Sequence, residues 1–224
     1  NKGHVSPLNK IKKLMNRCGA KDIYEKGNLV AIKVHFGELG NTAFLRPVFL
    51  RPIVEMLNQF GTKPYLTDTN TLYTGMRTNS VDHIHNANWN GFGYYTLQVP
   101  VIIADGLRGE NKCECPVPNG QLLKSAILAC DIVNADALVL VSHFKGHEAT
   151  GFGGALKNLA MGCAARAGKM VMHSTTKPYV NKHKCTACGR CKLYCQVNAI
   201  KISGTAEITE VCTGCARCIG ACPE

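Results

Sequence analysis

A chain of 224 residues, 46% of them hydrophobic, is long enough to bury a sizeable core and too apolar to be disordered. Its 26 basic and 15 acidic residues give a formal charge of +11, but the basic residues are scattered, with short clusters at Lys10, Lys12 and Lys13 and at Lys182 and Lys184. No aromatic platform interleaves with them and no apolar run is long enough to span a membrane, so neither nucleic-acid binding nor a membrane span is expected.

From the N-terminus, Leu8, Ile11, Leu14, Met15 and Cys18 recur at helical spacing over residues 7–18, with Ser6 as N-cap, Pro7 in the first turn and Gly19 as the stop. The β-branched run Leu29–Val34 predicts a buried strand that delivers His35, Gly37 and Glu38 to its C-terminal end. A helix is expected at about 45–60, then a short strand, Lys63–Thr67, ending on Asp68. Residues 78–90 predict a helix weakened by Asn86, Asn88 and Asn90. The next apolar run, Val99–Ala104, ends on Asp105 and Gly106. Lys112–Val117 predicts one arm of a hairpin closed near Pro118, Asn119 and Gly120, with a helix over 121–131 after it. Ala137–Val141 predicts a strand ending on Ser142 and His143. Gly151-Phe152-Gly153-Gly154 then opens a helix with Ala155, Leu156, Leu159, Ala160 and Cys163 on one side, and Lys169–Met172 predicts a last short strand ending on His173.

Strands alternating with helices predict an α/β domain over residues 1–178, a mostly parallel sheet with flanking helices. Ligands of such sheets sit beyond the carboxyl ends of the strands, and five apolar runs deliver His35, Asp68, Asp105, His143 and His173 there. His143, Lys145 and His147 alternate, so they share one face if the strand continues. Two imidazoles and an ammonium on one face suit a metal, an oxyanion or a proton transfer. Each histidine alone reads better as a hydrogen-bonded loop residue; with His35 and His173 at neighbouring strand ends, the group reads as a functional pocket. The loop of Gly151, Gly153 and Gly154, followed by Lys157 and Asn158, is a candidate anion site, against the reading of a tight turn that lets a helix pack close. It fits neither a dinucleotide fingerprint nor a Walker A loop. Asp105 reads as a turn cap, and Asp68 stays open between cap and site. Cys113-Glu114-Cys115 has a spacing that favours neither a cubane nor a zinc knuckle, and Cys18, Cys130 and Cys163 read as small core residues.

Residues 179–224 carry the most specific signal. Cys185, Cys188, Cys191 and Cys195 repeat the spacing of Cys212, Cys215, Cys218 and Cys222, each run reading C-x2-C-x2-C-x3-C. In bacterial-type ferredoxins the fourth thiolate of one run serves the other run's cluster. Cys185, Cys188, Cys191 and Cys222 are therefore expected to hold one 4Fe-4S cluster, and Cys195, Cys212, Cys215 and Cys218 the second, in a small α+β ferredoxin-like domain. Structural zinc sites space two Cys pairs more widely, and disulfides between such close cysteines would close strained, tiny loops. Each cluster with its four thiolates carries a charge of about −2, which brings the loaded chain to roughly +7. With 13 cysteines, eight of them ligands, a reducing, cytoplasmic compartment is expected. The chain opens on Asn1 rather than Met, which leaves room for a removed leader.

The segments Leu29–Asn41, Leu66–Tyr73, Val101–Arg108 and Ser142–Cys163, with the two cysteine runs, resemble proteins of domain-of-unknown-function family 362 fused to a two-cluster ferredoxin domain. One departure is Gln196, where such ferredoxin halves commonly have Pro; it loosens a turn and leaves the ligand count intact. The resemblance implies a chain that continues beyond Glu224, and it implies architecture and clusters but no substrate. The expectation is an iron–sulfur redox protein, an oxidoreductase if it is an enzyme. It would carry electrons to or from a pocket lined by His35, His143, Lys145, His147 and His173, and a redox partner protein is expected with it. Two alternatives stand beside it: an electron-transfer or binding subunit of a larger redox complex, and a non-redox metal-dependent enzyme with structural clusters. An additional metal or an anionic ligand in the α/β domain is compatible with the same residues.

Overall fold

The computed structural model describes residues 6–73, 75–147, 151–173, 177–195, 197–212, 214 and 217–224. Helix α1 (Pro7–Arg17) begins where the Ser6 hydroxyl accepts the Asn9 N–H at 3.3 Å, and its Ile11 and Met15 pack on the core. Cys18, expected in that core, is exposed, because it caps the helix where Gly19 turns the chain left-handed at φ 72°. Helix α2 (Ala20–Ile23) leads to β1 (Leu29–Lys33). The helix expected at about 45–60 divides into a 3-10 turn, Pro47–Phe49, and α3 (Arg51–Gln59), with a proline opening each. Next come β2 (Lys63–Asp68), α4 (Ser80–Trp89), α5 (Tyr94–Leu97) and β3 (Val101–Ile103).

The pair β4 (Lys112–Pro116) and β5 (Ser125–Ala129) is antiparallel, with Cys113 opposite Leu128. Residues 121–131 are thus the second arm of the hairpin followed by the short α6 (Cys130–Val133), not one helix; cross-strand pairing overrides the local preference. Cys130, expected in the core, instead forms a disulfide with Cys113, at a Cα–Cα distance of 5.1 Å. Strand β6 (Ala137–Leu140) ends before His143, and β7 (Lys145–His147) pairs with β8 (Gly151–Gly153) in a separate hairpin. Helix α7 (Ala155–Cys163) buries Cys163, as expected. The expected strand at Lys169–Met172 is the interior of helix α8 (Arg166–His173), where the Lys169 N–H bonds Ala165 O one turn back. An apolar run this short does not distinguish the two periods. The tail holds α9 (Arg190–Leu193), the antiparallel hairpin β9 (Ile200–Ser203) and β10 (Thr205–Ile208), and α10 (Arg217–Ala221), which lies against α9.

The main sheet has the order β3-β2-β1-β6, and every pair is parallel. β1 is flanked on both sides, so its side chains Val30, Ala31 and Ile32 are fully buried, as a continuous apolar run requires. Val30, Ile32, Phe36, Leu50, Leu57, Leu66 and Phe92 form the main core, each contributing about 1.5–3 kcal/mol by leaving water. The parallel register places the carboxyl ends of all four strands along one edge. No helix among the described residues is long and apolar enough to cross a membrane.

Candidate functional site

At that edge the last residue of β1 is a lysine in a strand otherwise built of apolar side chains. Lys33 is 1% exposed, and an ammonium so placed is stable only with partners. Two neighbours supply them. Asp68, the last residue of β2, brings Oδ1 to 2.9 Å from Lys33 Nζ, and Asn158 on α7 accepts from the same ammonium through Oδ1 at 2.7 Å. Asp68 Oδ2 pairs with Arg77 Nη1 at 3.1 Å, and His83 Nε2 stands 3.5 Å from it, at the outer limit of a hydrogen bond. Arg77 Nε in turn donates to Glu38 Oε1 at 2.9 Å, and the Tyr73 hydroxyl donates to that oxygen at 2.6 Å.

The charges follow from this geometry. Burial alone raises the Asp68 carboxyl, but Lys33, His83 and Arg77 hold it well below the usual carboxylate range. Burial also opposes the Glu38 charge, and Arg77 and Tyr73 overcome it, lowering that carboxyl. His35 sits beside this group with Nδ1 accepting the Gly37 N–H at 2.9 Å; burial, reinforced by the Arg77 charge, lowers it to about 4.

A second layer lies beyond β3. Asp105, read from sequence as a turn cap, is fully buried and accepts both the backbone N–H and the side-chain Nδ2 of Asn70 at 2.9 Å. Burial raises its pKa, and neighbouring Lys169 and the Asn70 N–H offset that only in part. The Lys169 ammonium donates to Ala164 O at 2.6 Å and to Thr69 Oγ1, and burial lowers it to about 8 against the opposing pull of Asp105. Lys33, Arg77 and Lys169 thus face Glu38, Asp68 and Asp105, three cations against three anions.

The sequence-predicted residues separate into two groups. His35, Asp68 and Asp105 join the buried network. His143, on the segment leading into β7, and Lys145, its first residue, are exposed. The side chain of His147 and the whole of residues 148–150 lie outside the described residues. Lys157 is lowered by burial and by the charge of Lys145, and His173 is held toward its neutral form by burial and by the charge of Lys157, so Lys157 has Lys145 and His173 as neighbours. Asn158 is committed elsewhere: it accepts from Lys33 and donates to Val141 O at 3.1 Å and to Ser142 Oγ at 3.0 Å. The glycine loop shows one glycine-requiring turn, Gly151 at φ 74°, and a close approach at Gly154, where a Cβ would stand 3.2 Å from the Phe144 ring. Lys33, Arg77, His83 and Lys169 escaped the sequence reading; the available signal was Lys33, a lone charge in a strand with no exposed face.

In the tail, a cavity of about 280 Å³ is bordered by Cys185, Cys188, Cys191 and Cys222. Ile200, Ile202, Ala206 and Ile208 of the hairpin wall it, and Cys218 also reaches its edge. Backbone N–H groups point at the sulfurs: Ala206 to Cys185 at 3.3 Å, Ala199 to Cys195 at 3.1 Å and Gly214 to Cys212 at 3.4 Å. Hydrogen bonds from Ala206 and Ala187 lower the Cys185 thiol. Cys215 lies outside the described residues. Among the described residues no three His, Cys, Asp or Glu side chains converge on a point as a single bound ion demands. The thiols surround a space instead, which suits a polynuclear cluster better than one zinc ion with ligands at about 2.3 Å.

Comparison with known proteins gives one family match. The sequence model of a family described as Domain of unknown function (DUF362) matches residues 30–214, from the first strand into the second cysteine run. No curated protein and no solved structure matches the chain.

Proposed function

The chain belongs to the DUF362 family, and from that premise we propose that it is an iron–sulfur redox protein holding two 4Fe-4S clusters in residues 179–224. The observation that carries this reading is the cavity on which Cys185, Cys188 and Cys191 meet Cys222, the thiol from the far end of the module. That is the crossed ligand set that paired runs require, and it closes around apolar walls. Cys195, Cys212, Cys215 and Cys218 hold the second cluster. When bound, each cluster supplies one-electron transfer. The chain's own groups do the rest: Ile200, Ile202 and Ile208 exclude water, the N–H groups of Ala206 and Ala187 favour the Cys185 thiolate over the thiol, and those of Ala199 and Gly214 orient Cys195 and Cys212.

Electrons would reach or leave a substrate at the carboxyl edge of the sheet. Lys145 and Lys157 are neighbouring cations that would hold an anionic substrate group, with His173 beside Lys157 held toward its neutral form; His143 or His147 would handle a proton. A second reading, an electron-transfer subunit with no substrate site, is favoured by one observation: the buried Lys33, Asp68 and Arg77 pair with one another and leave no free charge for chemistry.

Anaerobic reconstitution with iron and sulfide tests the clusters. About eight iron per chain are expected with the EPR signal of reduced cubanes, and Cys222→Ser is expected to keep about four. Zinc without acid-labile sulfide refutes the reading.

A further inference from the structure

The thiol-lined cavity lies close to the surface, since Cys188 and Cys222 are both exposed. The segment that supplies three of its thiols is charged with one sign. From Lys177 to Ala206 the sequence contains no Asp or Glu. Lys182, Lys184, Arg190 and Lys192 stand beside Cys185 and Cys191 in the chain, and all four are exposed. Lys184 borders the cavity itself. The neighbouring acids are few: Glu210 is taken by Lys177 at 3.2 Å, Glu207 lies on β10, and Glu224 is at the cavity rim. Large apolar side chains sit uncovered among these charges, Tyr179 at 88% exposure and Leu193 at 84%. An isolated exposed apolar residue is ordinary; two within a segment of exposed basic residues that supplies three of the cavity's thiols have the form of a docking face.

We propose that this segment, in which exposed Tyr179 and Leu193 stand along the chain with exposed Lys182, Lys184, Arg190 and Lys192, docks an acidic electron-carrier protein of the flavodoxin or ferredoxin class. The inference rests on the iron–sulfur reading of the cavity. The four basic side chains, less Glu224 at the rim, exceed by about one the charge of about −2 that the cluster in this cavity adds, so the rim stays positive when its own cluster is bound. Complementary charge steers encounter and raises association rates by roughly 10- to 1,000-fold, while the exposed ring and leucine give close contact over a small area. One electron leaves the reduced carrier and is taken up at the site of Cys185, Cys188, Cys191 and Cys222; no bond is made or broken.

The test is stopped-flow reduction of the reconstituted chain by a reduced acidic flavodoxin, with a basic c-type cytochrome as the opposite-charge carrier for reoxidation. For the unaltered chain, the rate with flavodoxin is expected to fall about tenfold or more from low to high salt. The variant K182E/K184E/R190E/K192E should be slowed by a similar factor, with a flat salt dependence, and should react faster with the cytochrome. Iron content and reduction by dithionite should match the unaltered chain. If that variant fails to hold iron, K182Q/K184Q/R190Q/K192Q should give the same slowing in smaller measure. Normal iron with a flavodoxin rate within about twofold of the unaltered chain overturns the docking face and leaves the clusters standing. Absence of iron from the unaltered chain overturns both readings. Retention on phosphatidylserine vesicles, with no preference for the acidic carrier, assigns the face to a membrane surface and overturns the proposal.

Discussion

Asparagine at position 68 keeps the shape of the side chain and removes one charge, which isolates what that charge does for Lys33 and Arg77. Lys33 Nζ is 2.9 Å from Asp68 Oδ1 and its side chain is 1% exposed, so water does not replace the lost partner. Asn158 Oδ1 still accepts from Lys33 at 2.7 Å, and Arg77 keeps Glu38, so hydrogen bonding survives better than charge balance. Breaking one side of a buried ion pair costs roughly 3–5 kcal/mol. With Arg77 still paired, the lower end applies, about 3 kcal/mol. Urea unfolding followed by circular dichroism converts this, at an m-value of about 1–3 kcal/mol per M, into a midpoint lowered by about 1 M or more. Asp68 is ionised in the folded state far below its unfolded pKa, so its stabilisation is present above about pH 3.9 and is lost as pH falls further. Asp68→Asn should remove that acid-side loss together with the midpoint. Combined with Lys33→Met, it should cost less than the two single changes added, by about 1–3 kcal/mol. A single-mutant effect under about 0.5 kcal/mol, or strict additivity, refutes the idea that the pair is a buried electrostatic unit.

Three further outcomes follow from neighbouring groups. His35, lowered to about 4, stays neutral when folded while the unfolded imidazole protonates near 6.5, so stability falls as pH drops between these values; His35→Gln should abolish up to about 3 kcal/mol of that slope in midpoint-against-pH measurements. Lys169 behaves oppositely in range: its folded pKa of about 8 lies below the unfolded 10.5, so stability rises with pH between the two, and Lys169→Met should flatten a rise of about 3 kcal/mol. Gly168→Ala places a Cβ 2.1 Å from the backbone oxygen of Ile127, which cannot swing aside, and should lower stability by at least about 2 kcal/mol with no change in iron content.

The strands of the main sheet were legible because each is a short apolar run bounded by turn residues, and burial on both faces demands that composition. β1 is the clearest case, and its parallel neighbours follow from the helices between them. What escaped had a physical reason each time. Ser125–Ala129 is no stronger a strand former than its surroundings and becomes one only because β4 offers an edge. Lys169–Met172 has an apolar pattern too short to choose a period, and its helix is fixed by packing Gly168 against β5. Asp105 looked like a turn cap because it precedes Gly106, and its long-range partner, Asn70, is invisible in local spacing. Lys33 was visible as a charge in a buried strand, but Arg77 and Lys169 are chosen by three-dimensional proximity alone. The cysteine runs are the reverse case: their repeated spacing is a local pattern, open to reading without the fold.

Where the charges lie separates the two leading readings of this protein. Inside, Lys33, Arg77 and Lys169 are matched by Glu38, Asp68 and Asp105, so the network beneath the strand edge is neutral and contributes nothing to the net charge of +11. That excess therefore sits outside the network. Among the described residues, two places carry part of it, the pair Lys145 and Lys157 and the rim of the thiol-lined cavity. A substrate enzyme needs the first to act together with the clusters; a pure electron carrier needs only the second. Replacing Lys145 and Lys157 together by Met should leave reduction by flavodoxin unchanged in both cases, because neither residue belongs to the cavity rim. It should slow reoxidation by anionic small-molecule acceptors only if the strand edge is where electrons are spent, and unchanged reoxidation by every such acceptor assigns the chain to the carrier class.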